Sequence, residues 1–367
     1  MRKLLIGICF FGLAALGRAD DTVVYVATTG NDSTGDGTSG NPYATPEKGM
    51  SFMDPGGILY IKAGTYTDQD EANGAVLYLD APATTKAVTV HGWGSSTTTL
   101  VAGDLATLNA ASTLADGVKA AATGLYVFEN IQATSATNTG WFVTNLADSM
   151  WVNCGAKFNG DEGFDLDNTN ILTACFSEGN TGYGFQGDIG NRFTSCKSTD
   201  DGNGFSSLQD STYAHCTIEN MGNQGISIGG VSSIVIHCTI DGRATGGTEG
   251  VDAGAHNNLL VINSIIRDCA VGLFADSDGG RSRAEHYNFI YSCATPRTAW
   301  SVGLGSDTST DPQHTDAPNG DYSLATGSAA LGAALTNPAV EASIGAWQLT
   351  TAGGGGAAQL VGGGLVQ

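Results

Sequence analysis

Basic residues are the scarcest polar class in this chain. Of 367 residues only 15 are Lys or Arg, against 36 Asp or Glu, for a formal net charge of −21. Such a field repels the phosphates of nucleic acid and of anionic lipid and attracts cations, which excludes nucleic-acid binding. Proline is sparse (8) while glycine is abundant (53), so neither a Pro-rich stalk nor a collagen repeat is present. No Ser-His-Asp signature, P-loop or dinucleotide fingerprint occurs. No apolar run reaches the roughly 20 residues that a membrane-spanning helix needs.

One shorter apolar run carries its own meaning. Arg2 and Lys3 precede the 14 residues from Leu4 to Gly17, and Gly17 and Ala19 put small side chains three and one residues before a cleavage point. Residues 1–19 therefore read as an export signal, which implies a secreted, extracellular or cell-surface protein. Cys9 follows Ile8 rather than a small residue, which argues against a lipoprotein signal. Removing this segment removes three basic residues, leaving 12 basic against 36 acidic, or −24.

Two columns of residues recur with one period. Gly precedes an apolar residue at Gly163-Phe164, Gly184-Phe185, Gly204-Phe205, Gly225-Ile226, Gly250-Val251 and Gly272-Leu273, at steps of 21, 20, 21, 25 and 22. Cys154, Cys175, Cys196, Cys216 and Cys238 follow at steps of 21, 21, 20 and 22. Around each Cys the pattern alternates, with Val152-Cys154-Ala156, Thr173-Cys175-Ser177, Thr194-Cys196-Ser198, Ala214-Cys216-Ile218 and Ile236-Cys238-Ile240 as the expected inward sets. A coil of 20–25 residues is too short for a βαβ unit. The expected fold is therefore all-β: a single-stranded, right-handed parallel β-helix, a solenoid whose one core grows along its axis.

Seven cysteines remain after the leader, an odd number that cannot pair completely within one molecule. Stacked coils hold equivalent side chains parallel at about 4.8 Å, whereas a disulfide needs converging Cβ atoms at about 3.8 Å. The column is expected to be a ladder of buried free thiols.

The β-helix domain is expected over residues 20–349. Within it, 20–66 opens with a strand at Val23 to Val26, a Gly/Asp/Ser/Thr loop and a short capping helix in Pro42 to Met53. Residues 318–349, with Asn319-Gly320-Asp321-Tyr322 and Ile344-Gly345-Ala346-Trp347, close it. Both ends resemble those of secreted β-helix proteins of the pectin-lyase-like superfamily. Residues 350–367 form a Gly-rich tail, read either as a disordered extension or as a strand for self-association through Leu360-Val361 and Leu365-Val366.

The richest polar cluster is Gly160-Asp161-Glu162-Gly163-Phe164-Asp165-Leu166-Asp167. With Phe164 and Leu166 inward, Asp165 and Asp167 emerge on the outer face, and Gln186 and Asp188 occupy the equivalent places one coil later. Asp167 and Asp188 would then repel by about 3.5 kcal/mol at an effective dielectric of 20. Hydration relieves this, as would Ca²⁺, which takes hard oxygen ligands. The stretch Asp161 to Asp165 is similar to the Asp-rich segment of family 9 polysaccharide lyases, over roughly residues 138–240. That resemblance implies Ca²⁺ held by Asp161, Glu162 and Asp165, an acidic polysaccharide as substrate, and Lys197 as the base that removes the proton α to a uronate carboxylate. Asn138 stands where the family has an acidic ligand, and Glu162 stands at the second acidic position.

Other groupings are weaker. His215 and His237 share an outward column, read as a surface stack. Asp200-Asp201 and Asp241 are candidates for a glycosidase acid–base pair. The competing reading of the whole chain is a non-catalytic extracellular structural, adhesion or self-assembling surface protein.

Overall fold

The computed structural model describes residues 22–67, 73–79, 87–93, 105–110, 114–120, 124–243, 248–255, 258–276, 283–331 and 333, and the backbone of 347–350 and 359–362. The export signal lies outside the described residues, as do Leu365-Val366 and most of the Gly-rich tail.

Each coil contributes three short strands to three long parallel sheets, of eleven, ten and ten strands. The coil at Met150 illustrates it, with Met150–Val152 in the first sheet, Gly155–Lys157 in the second and Phe164–Leu166 in the third. Each strand pairs with its equivalent one coil on, so Trp151 lies opposite Leu172, Ala156 opposite Ser177 and Phe164 opposite Phe185. The architecture is a parallel β-solenoid, as the two-column repeat predicts.

The repeat's glycines have a steric cause. A Cβ on Gly204 would stand 2.3 Å from the carbonyl oxygen of Gly225, and one on Gly225 would stand 2.4 Å from that of Gly250. The chain passes so close to the next coil at this corner that no side chain fits. The residue after each glycine points inward, and Phe164, Phe185 and Phe205 stack nearly parallel with centroids 4.9 and 4.6 Å apart. Trp141 extends the stack at 5.6 Å.

Around the cysteines the expected strand is two strands. Asn153, Ala174, Ser195, His215 and His237 all hold φ between 51° and 55°. This left-handed residue turns the chain from the first sheet into the second, and the turn shifts the alternation by one. Val152, Thr173, Thr194, Ala214 and Ile236 are accordingly half-exposed rather than inward. Trp151, Leu172, Phe193, Tyr213 and Val235 fill the core in their place. The cysteines and the residues two places beyond them do point inward. All seven described cysteines are free, and six of them are buried. Thiols in the column reach backbone carbonyls two residues back, as Cys175 Sγ does to Thr173 at 3.6 Å.

Within a coil the three inward positions trade volume. Where the third sheet supplies Phe185 or Phe205, the second supplies Ser177 or Ser198. Where the third supplies Ile226 or Val251, the second supplies Ile218 or Ile240. This exchange of large for small between facing sheets helps keep the core filled from coil to coil.

At the N-terminal end a five-residue helix spans Pro46–Met50, with Pro46 in its first turn and Thr45 accepting the Lys48 amide at 3.1 Å. Its last residue, Met50, is buried against the solenoid. At the other end the chain folds back along the flank. Residues His314–Asp316 and Asp321–Leu324 form a hairpin on the outer face of the second sheet. Leu324 and Ala330 meet Ile265 and Phe289 there in a small second core. Of the closing segment expected over 318–349, residues to 331 follow this path. The strand Trp347–Thr350 pairs antiparallel with Gln359–Gly362, so the backbone of Leu360-Val361 is engaged within the chain. Among the described residues no helix is long and apolar enough to cross a membrane.

Candidate functional site

The acidic cluster straddles the corner between the second and third sheets. Asp161 and Glu162 sit in the corner, and Phe164–Leu166 is the strand that follows, its inward Phe164 and Leu166 presenting Asp165 outward. Asp165 pairs in register with Gln186, whose amide lies 3.5 Å away. The same register, carried two residues on, places Asp167 opposite Asp188. The cluster is uneven. Asp161 and Asp188 are exposed, while Glu162, Asp165 and Asp167 are half-buried. Glu162 accepts from the Thr139 hydroxyl at 3.2 Å, and Asp167 accepts from the Asn168 amides at 2.8 and 2.7 Å.

Electrostatically this is an unbalanced site. Burial, then the charges of Glu162, Asp188 and Asp161, push the Asp165 carboxyl up to about 7. Burial and Asp167 raise Asp188, and burial and Asp161 contribute to raising Glu162. Among the described residues none of the five carboxylates has a basic partner in an ion pair. Their donor chemistry suits a hard cation. Their positions are looser than a cage, because among the described residues no three acidic, His or Cys side chains are gathered closely enough to hold a metal ion. Asn138 is the neighbour one coil back, its carbonyl accepting the Asp161 amide at 2.9 Å.

Lys197 lies elsewhere. It opens the strand Lys197–Thr199 of the second sheet, between Phe176 and Thr217, whereas Asp165 is on the third sheet. Its ammonium meets Glu219 Oε1 at 2.6 Å, and Glu219 is 4% exposed. Arg243 reaches the other oxygen of Glu219 at 3.2 Å and donates to the Ala317 carbonyl at 2.8 Å. Tyr322 donates to Asp241 at 3.0 Å. Lys197 thus stands beside the folded-back hairpin, with Gly320 against its amino group. Sequence reasoning missed Glu219 although the signal was present: one coil beyond Lys197 is Thr217, and Glu219 is the next outward position on that strand.

The remaining candidates are structural. Asp201 is buried, accepting from the Ser198 hydroxyl at 2.7 Å and the Asn180 side chain at 2.8 Å. Asp241 is also buried, beneath Tyr322. No acid–base pair facing one cleft forms from Asp200, Asp201 and Asp241. The His215 and His237 rings stack 5.0 Å apart at 10°, but His237 is buried rather than superficial.

No family model matches the chain, and no curated protein matches it. Among solved structures, pectate lyase Pel9A superposes with a TM-score of 0.58 at 15% identity, over 89% of this chain and 94% of that one. A rhamnogalacturonan lyase aligns with a TM-score of 0.41 at 15% identity, over 78% and 87% of the two chains. A GH136 lacto-N-biosidase from Eubacterium ramulus aligns at 0.45 and 11% identity, over 74% and 56%. At these identities the likeness to Pel9A is one of fold alone, a parallel β-solenoid.

Proposed function

We propose that the chain is a secreted or cell-surface carbohydrate-active protein that binds an acidic polysaccharide over the Asp161–Asp188 carboxylates and cleaves it as a polysaccharide lyase. The observation that carries this reading is Asp165, a half-buried carboxyl surrounded by like charge and lacking a cationic partner. Such a site is relieved by a proton or by a cation. Asp161, Glu162, Asp165, Asp167 and Asp188 are the candidate oxygen ligands for Ca²⁺, which would have to draw them closer together than they stand here. When bound, the ion supplies neutralisation of a uronate carboxylate. Lys197 is the candidate base for the proton α to that carboxylate, a role that requires its amino group to leave Glu219 and give up a proton to solvent first. On this reading the solenoid winds right-handed, the usual hand of parallel crossovers, and the Pro46–Met50 helix closes its first coil.

The test combines Ca²⁺ titration by calorimetry with release of unsaturated, ultraviolet-absorbing product from uronate polymers. Asp165→Asn is expected to abolish the Ca²⁺ response, and Lys197→Ala to abolish product. No product from any uronate polymer in the presence of Ca²⁺ overturns the lyase reading.

The Lys197–Glu219 pair favours a second reading, because the lysine's ammonium is already engaged by a buried carboxylate at 2.6 Å rather than free to meet a substrate. On it the chain is a non-catalytic extracellular structural or adhesion protein, self-associating through its C-terminal tail. Light scattering decides: association lost on truncation after Leu349 supports that reading, and a monomeric full-length chain removes it.

A further inference from the structure

Outward aromatic side chains cluster in register at the N-terminal end of the first sheet. Tyr25 pairs with Tyr60, Tyr60 with His91, and Lys62 with Trp93, all on strands whose alternate residues form the core. The Tyr25 and Tyr60 rings stack at 5.1 Å and 17°. Trp93 tilts by 56° to both, at 5.6 and 6.0 Å. The three rings are only half-buried, so they form an angled apolar wall on the outside of a solenoid that has no need of them for its core. Beside the wall runs a cleft of about 310 Å³, lined by Tyr25, Trp93 and Lys62 on one side and by the polar loop carrying Asn31, Gly40 and Asn41 on the other. A Cβ on Gly40 would meet nothing within 4 Å, so the loop backbone there is open to a ligand.

We propose that this wall and cleft are a glycan-binding site, taking a pyranose ring of an oligosaccharide with its C–H face on the aromatics and its hydroxyl edge toward the loop. A pyranose has one apolar face and a rim of hydroxyls, and the site offers one apolar wall and one polar wall. Lys62 is the exposed cation at the cleft and selects for an acidic sugar over a neutral one. Asp165 stands two coils further along and on the third sheet, so this site is independent of the lyase reading and survives its failure.

Calorimetry of the full chain with trigalacturonate and, separately, with xylotriose tests it. At least one is expected to bind, and Tyr60→Ala or Trp93→Ala to weaken it by about tenfold or more. Tyr60→Phe, which keeps the ring, is expected to stay within about twofold of the parent, and EDTA, which leaves the Asp161–Asp188 carboxylates without a cation, is expected to leave binding unchanged. Lys62→Ala is expected to erase the preference for trigalacturonate. All these side chains are outward, and an unchanged melting point confirms that each variant folds. Failure of both sugars to bind at millimolar concentration overturns the proposal. So does binding that persists in both Tyr60→Ala and Trp93→Ala, or binding that EDTA abolishes.

Discussion

At the scale of single residues, the solenoid depends on backbone that L-amino acids dislike. Where the third sheet turns back into the first, Asp148, Thr169, Asp210, Ser232 and Asn258 all hold φ between 55° and 62°. Asp and Asn tolerate this region because their side chains can bond locally, but a β-branched residue does not. Thr169 is the outlier, an exposed β-branched residue at φ 59° whose methyl faces the Gly190 position. Thr169→Asn is expected to stabilise the protein by about 0.5–1 kcal/mol, read as a higher denaturant midpoint at unchanged slope. An unchanged or lower midpoint would mean that Thr169 has found a compensation that its surroundings do not reveal. These corner residues were invisible to period counting, because Asp, Ser, Thr and Asn at a turn look alike whether φ is negative or positive.

At the scale of elements, many strands are only three residues long, and each gains its stability from the coils above and below. Phe185 shows how much. It is fully buried, stacked face-on between Phe164 and Phe205 and edge-on to Phe193. Phe185→Ala is expected to destabilise by about 3–5 kcal/mol, because neighbouring coils are pinned by their own ladders and cannot collapse into the gap. Thermal melting of the variant checks this, and a loss below about 1 kcal/mol would show that the coils slide to refill the space. The Gly–Phe and Cys columns were legible in the sequence because their cause repeats every coil: one close approach, one inward position. The side of the core filled by Trp151, Leu172, Phe193 and Tyr213 was misread for a local reason. Alternation counted outward from Cys154 assumes one strand, and Asn153 breaks it with a single left-handed residue. The acidic cluster was legible by the same register arithmetic, whereas the Tyr25–Tyr60–Trp93 wall was not. Its coils are 30 or more residues long at the first sheet, so its members fall outside the 21-residue period.

At the scale of the whole molecule, the columns run polar chemistry through the interior as well as aromatic rings. The Ala136 amide donates to Asn159, the Asn159 amide and side chain donate to Asn180, and Asn180 donates in the same way to Asp201, at 2.8–3.0 Å throughout. An Asn can both accept from one coil and donate to the next, but a carboxylate can only accept, so the chain of bonds ends at Asp201. Burial pushes the Asp201 carboxyl up to about 6, against the partial relief of its Ser198 and Asn180 donors. A carboxyl whose folded value lies above its unfolded value binds more protons in the native state between the two. Its stabilisation is then full below pH 4 and is lost as pH rises from about 4 to about 6. Asp201→Asn removes that loss and extends the ladder, its new amide facing the Ser198 hydroxyl. The variant is expected to match the parent near pH 4 and to exceed it above pH 6 by about 1–3 kcal/mol, the upper end set by the nominal ~1.4 kcal/mol per pH unit. Paired melts at pH 4 and pH 8 decide it. A difference independent of pH would show that Asp201 is ionised in the folded chain at both, and that the ladder rather than the proton sets its contribution.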